Sequence, residues 1–448
     1  MRTPRRFRNW LGNVQFTPQS YHQPTSEAEV LALVNAARQQ RRKLRVLGAG
    51  HSWSAVCETD GYLVNLDRMA QVLRLDAARR QVTVQAGIRL HRLCAELDRH
   101  GLALTNLGSI KEQSIAGAIS TGTHGSGVAF GPLGTQVVAM RLVTGRGEVL
   151  EIDELRHPDL LAAARVSLGA LGVITEVTLQ VTPAFNLREV RTPLPFADAL
   201  ALVPARLGEA DHVKLWWLPA VDRVQVYRQY RTQDAVRMHR SLLGEDRWTS
   251  QQVFAALLGL GARVPRLIAP LQRFIAALQF VPSTRVGISH QVFCLAVPPR
   301  HHESEYAVPL SEAAAAIAAL RELITQEQHR VHFILEFRPV RADTAWLSPA
   351  YGEDVCFIGA YDANRRGWPR FFAAYERLMR RHKGRPHWGK EFSLDAAALA
   401  PLYPRWADFL RLRSELDPEQ IFVNPLLQRA LLGPMENSAA PARASAVG

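Results

Sequence analysis

Cysteine is scarce in this chain: four among 448 residues (Cys57, Cys94, Cys294 and Cys356), no two at CxxC spacing. That argues against a zinc site or a dithiol redox pair, so no metal is expected, and isolated cysteines fit a reducing, cytoplasmic compartment. Lysine is also scarce for so basic a protein. Five of the 54 Lys+Arg are lysines and 49 are arginines, with a net charge of +13. The arginines are scattered in short runs such as Arg5-Arg6 and Arg41-Arg42. No basic stripe interleaved with aromatics is present, so nucleic acid is not an expected partner. No run is apolar enough to span a bilayer. The nearest, Val253 to Phe280, is broken by Arg263, Pro265, Arg266 and Arg273. It reads as two short amphipathic helices packed inside the protein, with peripheral docking on a membrane as the alternative. The N-terminus is basic but lacks an apolar h-region, so no secretory signal is expected.

What is present suits a globular protein of two domains. Ser26 and Glu29 form a capping box opening a helix over 26–40, with Val30, Leu33, Val34 and Ala37 on one face. Ile88 to His100 reads as a second helix, stopped by Gly101. Strands are expected at 45–47, 62–66 and 81–85, a hairpin at 137–143 and 148–152, and an alternating strand at 173–181. After Pro183 the texture changes. Strands are expected at 212–217, 223–230, 287–296, 331–339 and 355–361, with helices at 311–326 and 369–383, which suggests an antiparallel sheet with helices on one side. The expected class is α+β, with a boundary near 183 and an Ala/Ser/Pro-rich tail, 437–448, expected to be disordered.

Two small-residue segments carry chemistry. The first, Gly48-Ala49-Gly50-His51-Ser52-Trp53-Ser54, looks like a nicotinamide fingerprint. Trp53 stands where the third glycine belongs, and the run from Ser52 to Asp60 is too short for a helical crossover, so that reading fails. Phosphate chemistry survives: glycines let backbone N–H groups approach an anion, and Ser52 and Ser54 add hydroxyl donors. The second segment, Gly108 to Gly127, repeats this on a larger scale with Ser109, Ser114, Gly117, Thr121, Gly122, Thr123, His124 and Gly125. It lies in a long stretch, 107–134, poor in regular signal, of the kind that is usually functional inside a folded domain. Two such loops suit a dinucleotide diphosphate. Further on, Glu336 and Arg338 stand two apart in HFILEFRPV, on one face of a strand and opposite Leu335 and Phe337. By themselves they read as an exposed ion pair or as a clasp for a polyol.

GAGHSWS, GSIKEQSIAGAISTGTHGSG and HWGK (387–390), in this order, resemble the sugar-lactone and alditol oxidases of the vanillyl-alcohol-oxidase flavoprotein superfamily, from Asn9 to about Leu427. The resemblance is weak over about 185–325. It implies a two-lobed FAD-binding domain (1–183), a substrate domain with an antiparallel sheet flanked by helices (184–385), and a C-terminal segment (386–430) returning to the first. It implies FAD, bonded covalently through His51, with Ile174 and His387 also at the cofactor. It places Glu336 and Arg338 on the substrate side, the carboxylate accepting a hydrogen bond from the reacting hydroxyl and the guanidinium steadying developing alkoxide charge. Lys390 would stabilise negative charge on the reduced ring, and Ser114 would touch both cofactor and substrate. The implied substrate is an aldonolactone or alditol. Gly108, in LGSI, leaves room for O2, so an oxidase is expected, with a dehydrogenase using a quinone or cytochrome, or a non-catalytic flavin carrier, as alternatives.

Overall fold

The computed structural model describes residues 6–203, 207–237, 248–294, 297–363 and 367–434; the tail at 437–448 lies outside them. The first lobe is a three-stranded parallel sheet, β1 (Ser20–His22), β3 (Tyr62–Asn65) and β2 (Leu44–Leu47), with β3 central. Helix α1 (Glu27–Gln39) joins β1 to β2 and buries Val30, Val34 and Ala37. Ser26 Oγ accepts from Glu29 N, as the capping box predicts, but the Glu29 carboxylate reaches back to Thr25 N rather than to Ser26. The crossover argument needs correcting. β2 and β3 are parallel neighbours, and residues 48–61 cross over without a helix.

The second lobe is a five-stranded antiparallel sheet in the order β7-β6-β8-β5-β4, where β4 is Val72–Asp76, β5 Gln81–Gln85, β6 Val137–Val143, β7 Val149–Asp153 and β8 Val173–Gln180. Between β5 and β6 run α2 (Leu90–Arg99) and a short helix, α3 (Ile115–Ser120), in the stretch expected to be irregular. The low helix propensity of its glycine and serine hid α3. Its N-cap Ser114 accepts from Gly117 N.

A third sheet of eight strands carries the rest. Its order is β12-β9-β11-β10-β14-β15-β13-β16, all antiparallel. The strands are β9 Asn186–Pro195, β10 His212–Trp217, β11 Arg223–Thr232, β12 Ser283–Ile288, β13 His302–Pro309, β14 Leu335–Val340, β15 Val355–Asp362 and β16 Arg385–Pro386. The strand expected at 287–296 ends at Ile288, where Ser289 N turns away to Phe185 O and a short helix buries Val292 and Phe293. β9 and β13 were not expected at all. Helices α4 (Trp248–Arg263), α5 (Ile268–Gln279), α6 (Ala313–Gln326) and α7 (Trp368–Arg381) accompany this sheet. After β16 the chain returns to the first lobe: Leu44 N bonds Ile421 O, and Asn424 Nδ2 donates to the carbonyls of Ala55 and Glu58.

Candidate active site

The glycine loops face each other. A Cβ on Gly48 would lie 2.6 Å from Ser114 Oγ, and one on Gly117 3.0 Å from the same atom, so both glycines leave room for the Ser114 hydroxyl where the two loops meet. Between them runs a groove of about 100 Å³ lined by Gly48, Ala49, Gly50, His51, Ser52, Ser114, Gly117, Thr121 and Ile174. It joins a larger cavity of about 300 Å³ through His51, Ser52, Gln113 and Thr121, which line both. A narrow small-residue groove opening at His51 into a wider chamber fits an extended dinucleotide with its ring at the chamber end. Gln113 Oε1, buried and without a hydrogen-bond partner, lies where the two spaces meet.

The cavity brings together His51, Trp53, Gly108, Ser109, Thr123, His124, Glu336, Arg338, His387 and Lys390. Three expected residues stand outside both spaces: Ser54, which donates to Trp388 O, and Gly122 and Gly125. Ser114 lines the groove, apart from Glu336, Arg338 and Lys390.

Register builds the polar floor. Glu336 on β14 and Glu305 on β13 both pair with Gly359 on β15. Cα partners share a face, and a Cβ at Gly359 would lie 3.0 Å from the Tyr361 ring, so the bare backbone there admits that ring; Arg338 Nη2 reaches Glu305 Oε1 at 2.9 Å. The Glu336–Arg338 pair is buried, not exposed, with Arg338 Nε 3.4 Å from Glu336 Oε2. Trp216 Nε1 and the Tyr361 hydroxyl each donate to Glu336, both at 2.8 Å. Lys390 Nζ lies 2.5 Å from Glu303 Oε2 and 4.0 Å above the Trp53 ring.

Burial by itself would raise the Glu336 carboxyl, but Arg338, Lys214 and the Trp216 and Tyr361 donors hold it below the usual range, so it is ionised. Burial would raise Glu305 too; His124 and Arg338 hold it well below. Burial also drives His124 toward its neutral form, which leaves the guanidinium as the lasting cation. Burial lowers His51, favouring a neutral imidazole, and pushes His387 down to about 3. His124, Glu305 and His387 each bring one ligand atom within 4.8 Å of the others. However, His387 Nδ1 accepts from Gly389 N, which leaves the proton on Nε2, and Arg338 already takes Glu305. This is a hydrogen-bonded polar core better suited to a cation side chain than to a metal.

Sequence reasoning missed Glu303, Glu305, Trp216 and Tyr361. The two glutamates stand two apart in HESEYAVP, the same period-two signal that singled out Glu336 and Arg338. Trp216 and Tyr361 lay in expected strands, but nothing local says which face meets a cavity.

The architecture is that of the vanillyl-alcohol-oxidase type. Cholesterol oxidase from B. sterolicum superposes with a TM-score of 0.80 at 17% identity, covering 96% of this chain and 97% of that one. Residues 18–153 match the FAD binding domain model, and the chain is an FAD-linked oxidoreductase. Residues 177–430 match D-arabinono-1,4-lactone oxidase, and the chain belongs to that family. It is 34% identical to L-gulonolactone oxidase of Scyliorhinus torazame, covering 94% of this chain and 97% of the relative. It is 33% identical to L-gulono-1,4-lactone dehydrogenase of Mycobacterium tuberculosis, covering 95% and 99%.

Proposed function

We propose that the protein oxidises a CH–OH group of an aldonolactone of the gulono- or arabinono-1,4-lactone type, or of a related alditol, with O2 as acceptor and H2O2 as product. The observation that carries this is the convergence of Glu336, Arg338 and Lys390 on the chamber that His51 joins to the groove. Bound FAD supplies the hydride acceptor. Glu336, kept ionised and oriented by Trp216 and Tyr361, accepts a hydrogen bond from the reacting hydroxyl, and its proton as the carbon is oxidised. Arg338, tied to Glu305, orients the substrate oxygen and stabilises negative charge on it. The Lys390 ammonium sits over Trp53 and pairs with Glu303, a compact positive charge at the ring end. Ser114, Gly117 and Thr121 hold the diphosphate, and neutral His51 carries the covalent bond to the ring. We place the protein in the cytoplasm, in peripheral contact with membrane.

Anaerobic addition of aldonolactones and alditols to the purified yellow protein tests the reading: bleaching of the flavin band supports it, and a band unchanged by all of them defeats it. Acid-precipitated protein should stay yellow, and His51→Ala should release the colour; a colourless unmodified precipitate refutes the covalent bond. The dehydrogenase name of the mycobacterial relative favours a second reading, with a quinone or cytochrome as acceptor. Peroxide formed in air separates the two.

A further inference from the structure

Helices α4 and α5 are apolar on the face turned to water as well as on the face they bury. α4 buries Leu258, and α5 buries Ile268, Gln272 and Ala276. Their opposite faces carry Val253, Ala256 and Leu260 on α4, and Pro270, Phe274, Ala277 and Leu278 on α5, continued by Val281. The exposed side of a soluble helix is ordinarily charged or polar. Nine large hydrophobic residues are exposed among the described residues, and five of them (Val253, Leu260, Phe274, Leu278 and Val281) fall within this one segment. Phe274 is 52% exposed.

The charge pattern is equally one-sided. No acidic residue occurs between Asp246 and Glu303. Arg263, Arg266 and Arg273 are exposed beside the apolar face. An apolar stripe with cations at its flanks and no anion is the pattern of a helix lying in the plane of a bilayer surface, its arginines among anionic headgroups. The helices have 16 and 12 residues, and no helix among the described residues is long and apolar enough to cross a membrane. Val253 and Leu278 are exposed and also line the chamber, so its mouth opens at this face.

We infer that the outward face of α4 and α5 is a docking surface for an anionic lipid membrane, and that docking sets the mouth of the active-site chamber at the lipid–water interface. This deepens the peripheral contact proposed above and does not depend on the lactone chemistry or on the covalent bond.

The test is co-sedimentation of the holoenzyme with vesicles of phosphatidylglycerol and phosphatidylcholine in equal parts, against phosphatidylcholine alone. Association with the anionic vesicles, weakened by added salt, is expected. The double variant L260E/F274E should bind about tenfold less or weaker still, and R263Q/R266Q should lose the preference for anionic lipid. None of these four residues lines the chamber, so flavin content and lactone turnover without vesicles should be unchanged, which also certifies folding. As a second readout, Phe274→Cys labelled with an environment-sensitive dye should brighten on anionic vesicles; the four native cysteines are buried. Wild-type protein that ignores both kinds of vesicle overturns the inference while leaving the catalytic reading intact. Unaltered binding by L260E/F274E places peripheral contact elsewhere and overturns this surface. Self-association lost in L260E/F274E, without vesicle binding, makes the face an interface between copies and overturns the membrane as its occupant.

Discussion

At the residue scale the decisive feature is that Glu336 is buried yet ionised, because two donors and two cations surround it. Glu336→Gln keeps the shape and an acceptor for Trp216, and Arg338 keeps Glu305 as counter-ion, so the fold and the flavin should persist. The rate of flavin reduction by lactone should fall by about 10²–10⁴-fold, the usual contribution of a positioned base. In the unmodified enzyme the acid limb of kcat/KM should lie below the ordinary carboxylate range, since Glu336 must be ionised to act and its pKa is held low. Gly108 sits under a different constraint. A Cβ there would lie 2.9 Å from Thr123 Cγ2 and 3.3 Å from His124 O, at the chamber wall. Gly108→Ala should slow reoxidation by O2 about tenfold or more, as a barrier higher by about 1.4 kcal/mol would, while reduction by lactone and reoxidation by a dye are retained. Stopped-flow measurement of the two half-reactions checks it.

At the scale of elements, the outer half of the eight-stranded sheet is pinned by a buried charge. Glu189 on β9 meets Arg191 on its own strand, Arg285 on β12 and Gln229 on β11. Burial alone would raise its pKa, but Arg285 and Arg191 bring it down to about 2 from 4.5. A carboxyl depressed in the folded state contributes stability that is present above the unfolded value and lost as pH falls toward the folded one. About 3 kcal/mol should therefore drain away between pH ~4.5 and ~2. In Glu189→Gln the apparent unfolding midpoint should be lower at neutral pH and flatter across this window. A variant with the unmodified acid profile would show that other carboxylates carry it. Several elements were legible beforehand: β5, β6 and β10 match the expected spans, β5 because its apolar alternation coincides with burial, β6 and β10 because their β-branched, aromatic and apolar residues favour a strand. β9 and β13 were hidden for a common reason. Their charged and polar residues are buried against partners from distant strands, and a period-two pattern of charges reads locally as solvent-facing.

At the scale of the whole molecule, the last 40 described residues close the first lobe. Asn424 donates to Ala55 and Glu58 carbonyls in the crossover that carries His51, and its Oδ1 caps Leu427 N. Arg45, fully enclosed, donates to Val56, Leu168 and Phe422 carbonyls and so ties the crossover, the second lobe and the C-terminal segment together. Asn424→Ala should cost about 2–3 kcal/mol, a lost cap plus buried carbonyls left unpaired. The apparent thermal midpoint should fall, and flavin fluorescence should change at a lower temperature because the His51 loop loosens first. An unchanged midpoint would show that Arg45 suffices alone.

The amino-acid sequence by itself determined the chemistry on offer: two loops dense in glycine and hydroxyl residues, one histidine in the first loop, and an acid and an arginine two apart on a strand. These are local facts, set by residue type and spacing. Only the tertiary structure decided that Glu305 and Glu303 belong to the same chamber, that Ser114 lies on the groove side, and that α4 and α5 turn an apolar face outward. Those depend on register across strands far apart in the chain and on what covers each face, and neither is encoded in any short window of residues.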